Sequence, residues 1–202
     1  MSRNNESPAA VQAAWSQSDG TDTSIACAHD TLAFWESVGP RGWFEKNDDV
    51  DRQFRERCLD RHFAAARRQC EHWMDDAQAG LALIVLLDQF PRNVFRGTAH
   101  MFATDSLARH YARRYIDSGL IGQVAAELRL LACLPFVHSE SIGDQDYAIA
   151  LYGRHAPDNL DWAKHHRSII ERFGRFPHRN YVLGRDTTPD EQAFLDAGGF
   201  TG

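Results

Sequence analysis

The residues best suited to bind a ligand lie in two short segments with nearly the same sequence, Phe90–Asn93 and Phe176–Asn180. Both join a phenylalanine and a proline to an arginine and an asparagine. The guanidinium of arginine is planar and holds a carboxylate or phosphate through two hydrogen bonds, so several arginines converging on one cleft would bind an anion. The candidate ligand-binding residues are Asp88, Arg92, Asn93, Arg96, Arg175, His178, Arg179 and Asn180.

The same arginines could instead brace the fold through ion pairs. Asp88, Asp105, Glu140 and Glu171 are acidic residues that could neutralise them, and buried networks of this kind commonly hold helix ends together. With Arg172 included, the arginines outnumber these carboxylates by only one. The charge count therefore does not decide between a ligand site and a structural network.

A second cluster, His138 and Glu140, has the residue types needed for acid–base catalysis. Histidine titrates near neutral pH and can exchange a proton with a ligand or a carboxylic acid. Residues two apart point to different faces of a helix, so these side chains converge only where the backbone is irregular, which Pro135 favours. The competing interpretation pairs Glu140 with an arginine and His138 with a backbone carbonyl.

A metal-dependent enzyme is a further alternative, because His138, Glu140 and His166 together would provide three ligands. Their spacing matches no familiar zinc signature, and the sequence indicates no cofactor. The cysteines, at positions 27, 58, 70 and 133, are scattered without a Cys-x-x-Cys pair. They indicate neither a zinc site nor a disulfide framework, which is typical of the reducing cytoplasm.

The element that must position these residues is a central helix that begins near Leu81. Leu81–Leu87 is apolar on every side, which is typical of a helix buried inside a domain, and the segment is too short to span a bilayer. We expect Pro91 to end this helix. Asp88 then faces the negative end of the helix dipole and needs a cation. We predict that Asp88 is ionised and touches an arginine of residues 172–179, so that the two Phe-Pro segments meet.

Apolar residues at helical spacing predict further helices along the chain. These are expected at Thr31–Val38, Asp48–Arg68, Asp105–Ile116, Val124–Leu134, Ser141–Tyr152, Asp158–Phe173 and Pro189–Asp196. Capping boxes are indicated at Ser141 and Thr188. No segment alternates with period two, so we expect an all-α fold of eight or nine helices without a sheet. A compact bundle and a solenoid of antiparallel helix pairs both satisfy this pattern.

Length and composition indicate one domain. Residues 1–29 are rich in small polar residues and predict a disordered leader, followed by a single helical domain over residues 30–202. The first 30 residues lack an apolar segment, so no secretory signal is expected. The net charge of −6 argues against nucleic acid and membrane as partners. Together with the cysteine pattern, these features predict a cytoplasmic protein.

Several long motifs resemble a single bacterial family. The segments that carry the resemblance are Phe34–Trp35, Leu87–Thr98, Phe102–Asp105, Pro135–Glu140 and Arg172–Asn180. They resemble the bacterial domain-of-unknown-function family 924 over roughly Thr31 to Phe200. The resemblance implies a tetratricopeptide-repeat-like stack of antiparallel helix pairs rather than a plain bundle, and it implies no activity.

Two functions are compatible with these observations. In the first, the arginines and asparagines bind a small anionic metabolite, and His138 and Glu140 transfer a proton to or from it. In the second, the concave face of a helical-repeat scaffold binds a peptide or protein partner. A closed pocket would favour the first function and an open groove the second. The sequence leaves the oligomeric state undetermined.

Overall fold

The computed structural model describes residues 21–201, which fold into eight α-helices and six short 3-10 helices. No β-strand occurs in this range, and the predicted all-α class is confirmed. The α-helices are α1 (Ile25–Gly42), α2 (Asp48–Ala66), α3 (Ala77–Val94), α4 (Asp105–Asp117), α5 (Arg129–Val137), α6 (Ile142–His155), α7 (Leu160–Phe173) and α8 (Pro189–Asp196). The 3-10 helices are Glu71–Asp75, Ala99–Phe102, Leu120–Gln123, Ala126–Leu128, Pro157–Asn159 and Pro177–Arg179.

Helix α3 is the central element and packs against α1, α2, α4 and α5. Every residue from Ala79 to Pro91 is buried, as the all-apolar sequence predicts. The carboxylate of Asp76 caps the N-terminus by accepting a hydrogen bond from the backbone N–H of Ala79 at 2.8 Å.

The prediction that Pro91 ends this helix is wrong, because α3 continues to Val94. Proline has no N–H to donate to the carbonyl of Leu87, four residues earlier. The hydroxyl of Thr104 donates to that carbonyl instead, at 2.5 Å. The missing backbone bond is thus replaced from outside the helix, and the residues after Pro91 stay on helical backbone.

The second proline predicted to end a helix, Pro135, likewise lies inside α5, which extends to Val137. This helix begins at Arg129 rather than at Val124, because the backbone at Val124 and Ala125 is extended. The C-cap of α5 is His138, so the helix delivers that side chain to the site.

The predicted start of the helical domain also differs. Helix α1 begins at Ile25, where Ser24 accepts a hydrogen bond from the N–H of Cys27 at 3.2 Å. Residues 25–29 therefore belong to the helical domain, and residues 1–20 of the predicted leader lie outside the described residues. Gly39 kinks α1 instead of ending it, with a φ of 75° that glycine adopts without steric strain.

One of the two predicted capping boxes is present. The side chain of Thr188 accepts from the N–H of Glu191 at 3.3 Å, and the Glu191 carboxylate accepts from the N–H of Thr188 at 2.8 Å. At Ser141 the box does not form, because Asp144 accepts a hydrogen bond from the hydroxyl of Ser139 at 2.7 Å.

Two apolar cores stabilise the molecule. The larger core surrounds α3, and the smaller one contains Ile169, Ile170 and Phe176 near the C-terminus. Each α-helix from α3 to α6 packs against the next, and α3 also packs against α1 and α5. The tetratricopeptide-repeat-like stack stays a prediction. Within residues 21–201, no helix combines the length and apolar composition needed to cross a membrane.

Candidate functional site

Asp88 and His138 form a hydrogen-bonded pair between the C-terminal ends of α3 and α5. The Nδ1 atom of His138 lies 2.8 Å from Oδ1 of Asp88. The side-chain amide of Gln89 donates to Oδ2 of the same carboxylate at 2.6 Å. Asp88 is fully buried, whereas 12% of the His138 side chain is exposed.

The protonation states of this pair follow from its surroundings. Burial disfavours the charge of Asp88, but the guanidinium of Arg92 and the hydrogen bonds from His138 and Gln89 hold the pKa of Asp88 below its usual range. Burial and the charge of Arg92 lower the pKa of His138. At neutral pH His138 is therefore a neutral imidazole that donates its Nδ1 proton to Asp88, and its lone pair lies on Nε2.

Asp105, the first residue of α4, joins the two Phe-Pro segments. Its oxygens lie 2.9 and 3.0 Å from the guanidinium of Arg92 and 3.3 Å from Nη1 of Arg179. Arg179 also donates to the backbone carbonyl of His138 at 2.9 Å. The two segments therefore meet as predicted.

The predicted partner of Asp88 is wrong. Asp88 pairs with Arg92, whose Nη1 lies 3.3 Å from Oδ1 and 2.7 Å from the backbone carbonyl of Asp88. Arg92 lies one turn further along the same helix, within direct reach. Arg179 is instead held by Asp105, so the connection between the segments is indirect.

A cavity of about 590 Å³ opens beside these groups, within the size range of small-molecule sites. Its polar lining consists of Gln89, Arg92, Asn93, Arg96, His138, His166, His178, Arg179 and Thr201. Its apolar lining is mostly aromatic and includes Trp43, Phe44, Phe102, Trp162, Phe176 and Phe200. Among residues 21–201, no aspartate or glutamate lines the cavity.

Arg96 is the most exposed of the arginines in this lining, with 37% of its side chain exposed. Its Nε lies 3.0 Å from Oδ2 of Asp51, and its Nη2 donates to Oδ1 of Asn93 at 2.6 Å. Asn93 in turn donates to the backbone carbonyl of Gln89 at 3.0 Å. The guanidinium is thus held in place while its carboxylate partner lies outside the cavity lining.

His166 and His178 are neutral in the cavity wall, because burial lowers the pKa of each to about 3. Nδ1 of His166 donates to the backbone carbonyl of Trp162 at 2.9 Å, which leaves Nε2 as an acceptor. In the described part of the chain, Nε2 of His166, Nδ1 of His178 and Nε of Arg179 are buried without a hydrogen-bond partner. A buried polar atom without a partner destabilises the folded state by about 1–3 kcal/mol. These three atoms are therefore able to form hydrogen bonds that the protein itself does not supply.

Glu140 forms no hydrogen bond with His138. Its oxygens accept hydrogen bonds from Arg185 at 2.7 and 3.0 Å, and Oε1 also accepts from the N–H of Phe176 at 2.8 Å. The pairing predicted between His138 and Glu140 is replaced by the pair of His138 and Asp88. The metal set of His138, Glu140 and His166 is not assembled either, and residues 21–201 contain no other group of metal ligands.

Arg175 and Asn180 also bond away from the cavity, which neither of them lines. Arg175 donates to both oxygens of Glu191, at 2.6 and 2.9 Å. Asn180 donates to Glu191 at 3.3 Å and accepts from Arg185 at 3.0 Å. Gly174, with a φ of 70°, ends α7 and turns the chain toward these contacts. These residues fasten α8 to the rest of the molecule.

The motifs do not reveal the aromatic part of the cavity or the role of Arg185. Part of the aromatic wall is indicated by two adjacent large aromatic residues, Trp43 and Phe44, which follow Gly39. Large aromatic residues outside a helix usually pack against a neighbouring surface. The side chain of Phe44 is 51% exposed, which is unusual for a large apolar residue. No local sequence pattern indicates that Phe200, near the C-terminus, belongs to the cavity lining.

The fold and the cavity define a class: an all-helical protein with an arginine- and histidine-lined cavity at the ends of its central helices. A family model described as "Bacterial protein of unknown function (DUF924)" matches residues 31–199, and the chain belongs to this family, as predicted. It is similar to a solved structure of a protein of unknown function from Agrobacterium tumefaciens, with 49% identity and a TM-score of 0.84 over 88% of this chain and 100% of that chain. None of the curated proteins matches the chain.

Proposed function

We propose that the cavity binds a small anionic metabolite and that His138 transfers a proton to or from it. The observation that carries this proposal is the charge of the lining. Arginines face the cavity, whereas the carboxylates that pair with them, Asp51, Asp88 and Asp105, do not line it. An anion entering the cavity therefore meets guanidinium groups without meeting a carboxylate.

The anionic group of the ligand is expected beside Arg92 and Arg179. Their side chains are only 14% and 8% exposed, and Asp105 holds both in fixed orientations. Burial lowers the pKa of Arg179 to about 10, so its guanidinium stays protonated at neutral pH. Guanidinium groups that are already positioned lose little conformational entropy when a ligand binds.

His138 has the features of a general base. It is neutral, its Nδ1 is held by Asp88, and its exposed part faces the cavity. When Nε2 takes a proton from the ligand or from a water molecule, the charge of Asp88 stabilises the resulting imidazolium.

The convergence of these residues on one cavity supports a small-molecule site over a peptide-binding scaffold. A scaffold would distribute its polar side chains along an open groove, so that an extended partner could contact many of them. Here the polar side chains surround one cavity and are backed by buried ion pairs. Convergent polar groups in a largely apolar pocket are typical of small-molecule sites.

A thermal-shift screen of phosphorylated and carboxylated metabolites tests the binding step. A ligand at a hundred times its dissociation constant stabilises the folded state by about 2.7 kcal/mol. For a chain of this length each kcal/mol raises the melting temperature by roughly 2–4 °C, so a hit is expected at roughly 5–11 °C.

Arginine variants show whether such a hit uses the proposed site. Arg92→Gln and Arg179→Gln are expected to remove most of the shift. Arg167→Gln is the matched control, because Arg167 pairs with Asp146 and Glu171 away from the cavity. Circular dichroism first establishes that each variant is folded. A hit that persists unchanged in both cavity variants contradicts the proposal.

His138→Asn separates binding from proton transfer. The asparagine amide can donate to Asp88 in place of Nδ1, so the fold and the ligand-induced shift are expected to remain. Turnover of the bound ligand is expected to fall at least about 100-fold, which is the usual contribution of a general base. Turnover at the wild-type rate in this variant would show that another group moves the proton.

A further inference from the structure

A second cavity, of about 350 Å³, adjoins the first. It is lined by Phe44, Leu130, Tyr152, Asp158, Asn159 and Trp162. Phe44 and Trp162 line both cavities. The two spaces are therefore separated by this aromatic pair and not by the packed core of the domain.

Phe44 is the loosely held member of this pair, whereas the Trp162 ring also packs against His166, with ring centroids 4.0 Å apart. The ring centroids of Phe44 and Trp162 lie 5.9 Å apart, and the two side chains are 51% and 37% exposed. An exposed side chain such as that of Phe44 changes rotamer within picoseconds to nanoseconds, because few neighbours restrain it. Rotation of the Phe44 ring would join the two cavities into one continuous space.

The second cavity differs from the first in its chemistry. Leu130 and Tyr152 are only 7% and 0% exposed and provide a buried, largely apolar floor. Asp158 and Asn159 are exposed and mark its outer edge. No arginine, lysine or histidine of residues 21–201 lines it. Burial would stabilise an apolar group in this space, whereas Asp158 would repel an anion.

We propose that the second cavity binds the uncharged tail of the ligand whose anionic group lies beside Arg92 and Arg179. This inference rests on the proposed function of the first cavity. The opposite charges of the two linings set the orientation, with the anionic head at the arginines and the tail beyond Phe44 and Trp162. The ligand class is therefore an elongated amphipathic acid, in which an acyl or aryl chain ends in one carboxylate.

Titration calorimetry of the full chain with straight-chain saturated acids, from butanoate to dodecanoate, tests this inference. Each buried methylene raises the affinity about fourfold, so the dissociation constants are expected to fall until both cavities are filled. Asn159→Trp is designed to fill the second cavity from its exposed edge. Asn159→Ala is the matched control, because it removes the same amide without adding volume.

The two variants are expected to separate long acids from short ones. Long acids should bind at least about tenfold more weakly to Asn159→Trp than to Asn159→Ala, the loss expected when two or three methylenes stay in water. Short acids should bind both variants equally. Equal binding of long acids to the two variants overturns the inference, because the tail then lies elsewhere.

Straight-chain alcohols of the same lengths distinguish failure of the tail cavity from failure of the anion site. If acids bind through Arg179 but their affinity does not rise with chain length, the tail cavity is wrong and the proposed function stands. If Arg179→Gln leaves acid binding unchanged, the proposed anion site is wrong. If no acid binds, the inference of an elongated acid is overturned, and the thermal-shift screen decides the proposed function. In either case, alcohol binding that Asn159→Trp abolishes would still support the second cavity as an apolar binding site, and absence of alcohol binding would overturn the second cavity as well.

Discussion

The two halves of helix α3 are both largely buried but have different surroundings. Leu81–Leu87 packs only within the large apolar core. Asp88–Asn93 carries an aspartate, two amides and an arginine, and it contacts His138 and Asp105. The helix thus passes from an apolar environment into an ionic one without reaching the surface.

This difference separates residues that stabilise the fold from residues that form the proposed site. Burial of the first half stabilises the folded state in proportion to apolar area. Buried ion pairs cost desolvation energy, and replacing a whole pair by well-packed apolar residues is often neutral or stabilising. The ionic half of α3 is therefore poorly explained by stability alone. Its charged residues lie beside the cavity, where the proposed anion site needs them.

The largest expected change in stability tests whether the charged side chains of the ionic half depend on one another as their short distances indicate. Asp88→Ala removes the carboxylate between Arg92 and His138. We expect the free energy of unfolding to fall by about 3–5 kcal/mol, because a buried guanidinium loses one of its partners. Urea denaturation followed by circular dichroism measures this change.

Leu83→Ala is the matched variant in the apolar half of the same helix. Leu83 is fully buried, and its truncation is expected to cost about 2–5 kcal/mol through lost burial and a cavity. A loss below about 1 kcal/mol for Asp88→Ala beside a normal loss for Leu83→Ala would mean that the ionic half is effectively solvated.

The apolar half of α3 could be predicted from sequence because its evidence is contiguous. Leu81–Leu87 is apolar on every side, which predicts burial whatever its partners are. The meeting of the two Phe-Pro segments could also be predicted from their matched sequences and from the need of Asp88 for a cation, although the contact runs through Asp105. Both arguments need only residue types and local spacing.

The individual partners in the ionic half could not be predicted, because they depend on how distant helices pack. Local patterns mark Asp105 and Glu191 as N-terminal residues of helices, yet Asp105 also binds Arg179 and Glu191 binds Arg175. Thr104, which replaces the bond missing at Pro91, is likewise invisible to a local rule. The packing of α4 and the C-terminal segment against the rest of the molecule determines all three of these contacts.

A smaller effect concerns the pH dependence of the ionic region. The pKa of His178 is lowered by burial to about 3 in the folded state, from an ordinary value of 6.5. The unfolded state therefore binds the proton first, so this group costs stability as the pH falls below 6.5 toward 3. His178→Phe removes the titration while keeping an aromatic ring.

The loss of stability between pH 7.5 and pH 5 is therefore expected to be smaller in His178→Phe than in the wild type. The expected reduction is on the order of 1–2 kcal/mol, since each unit of pKa difference corresponds to about 1.4 kcal/mol. Urea denaturation at the two pH values measures it. The same loss in both proteins would show that His178 is protonated equally in the folded and unfolded states.

The smallest effect compares two buried tyrosines, one beside each half of α3. The hydroxyl of Tyr115 donates to the carbonyl of Ala77 at 2.8 Å, at the start of the helix. The hydroxyl of Tyr152, whose pKa is raised by burial and by the charge of Asp88 among other groups, is buried without a partner among residues 21–201.

Removing an unpaired buried hydroxyl relieves a desolvation cost, whereas removing a paired one loses a hydrogen bond. Tyr152→Phe is therefore expected to stabilise the protein by about 1 kcal/mol and Tyr115→Phe to destabilise it by about the same amount, as measured by urea denaturation. Changes of the same sign would mean that the Tyr152 hydroxyl has a partner in solution, and that the ionic region is better satisfied than its contacts indicate.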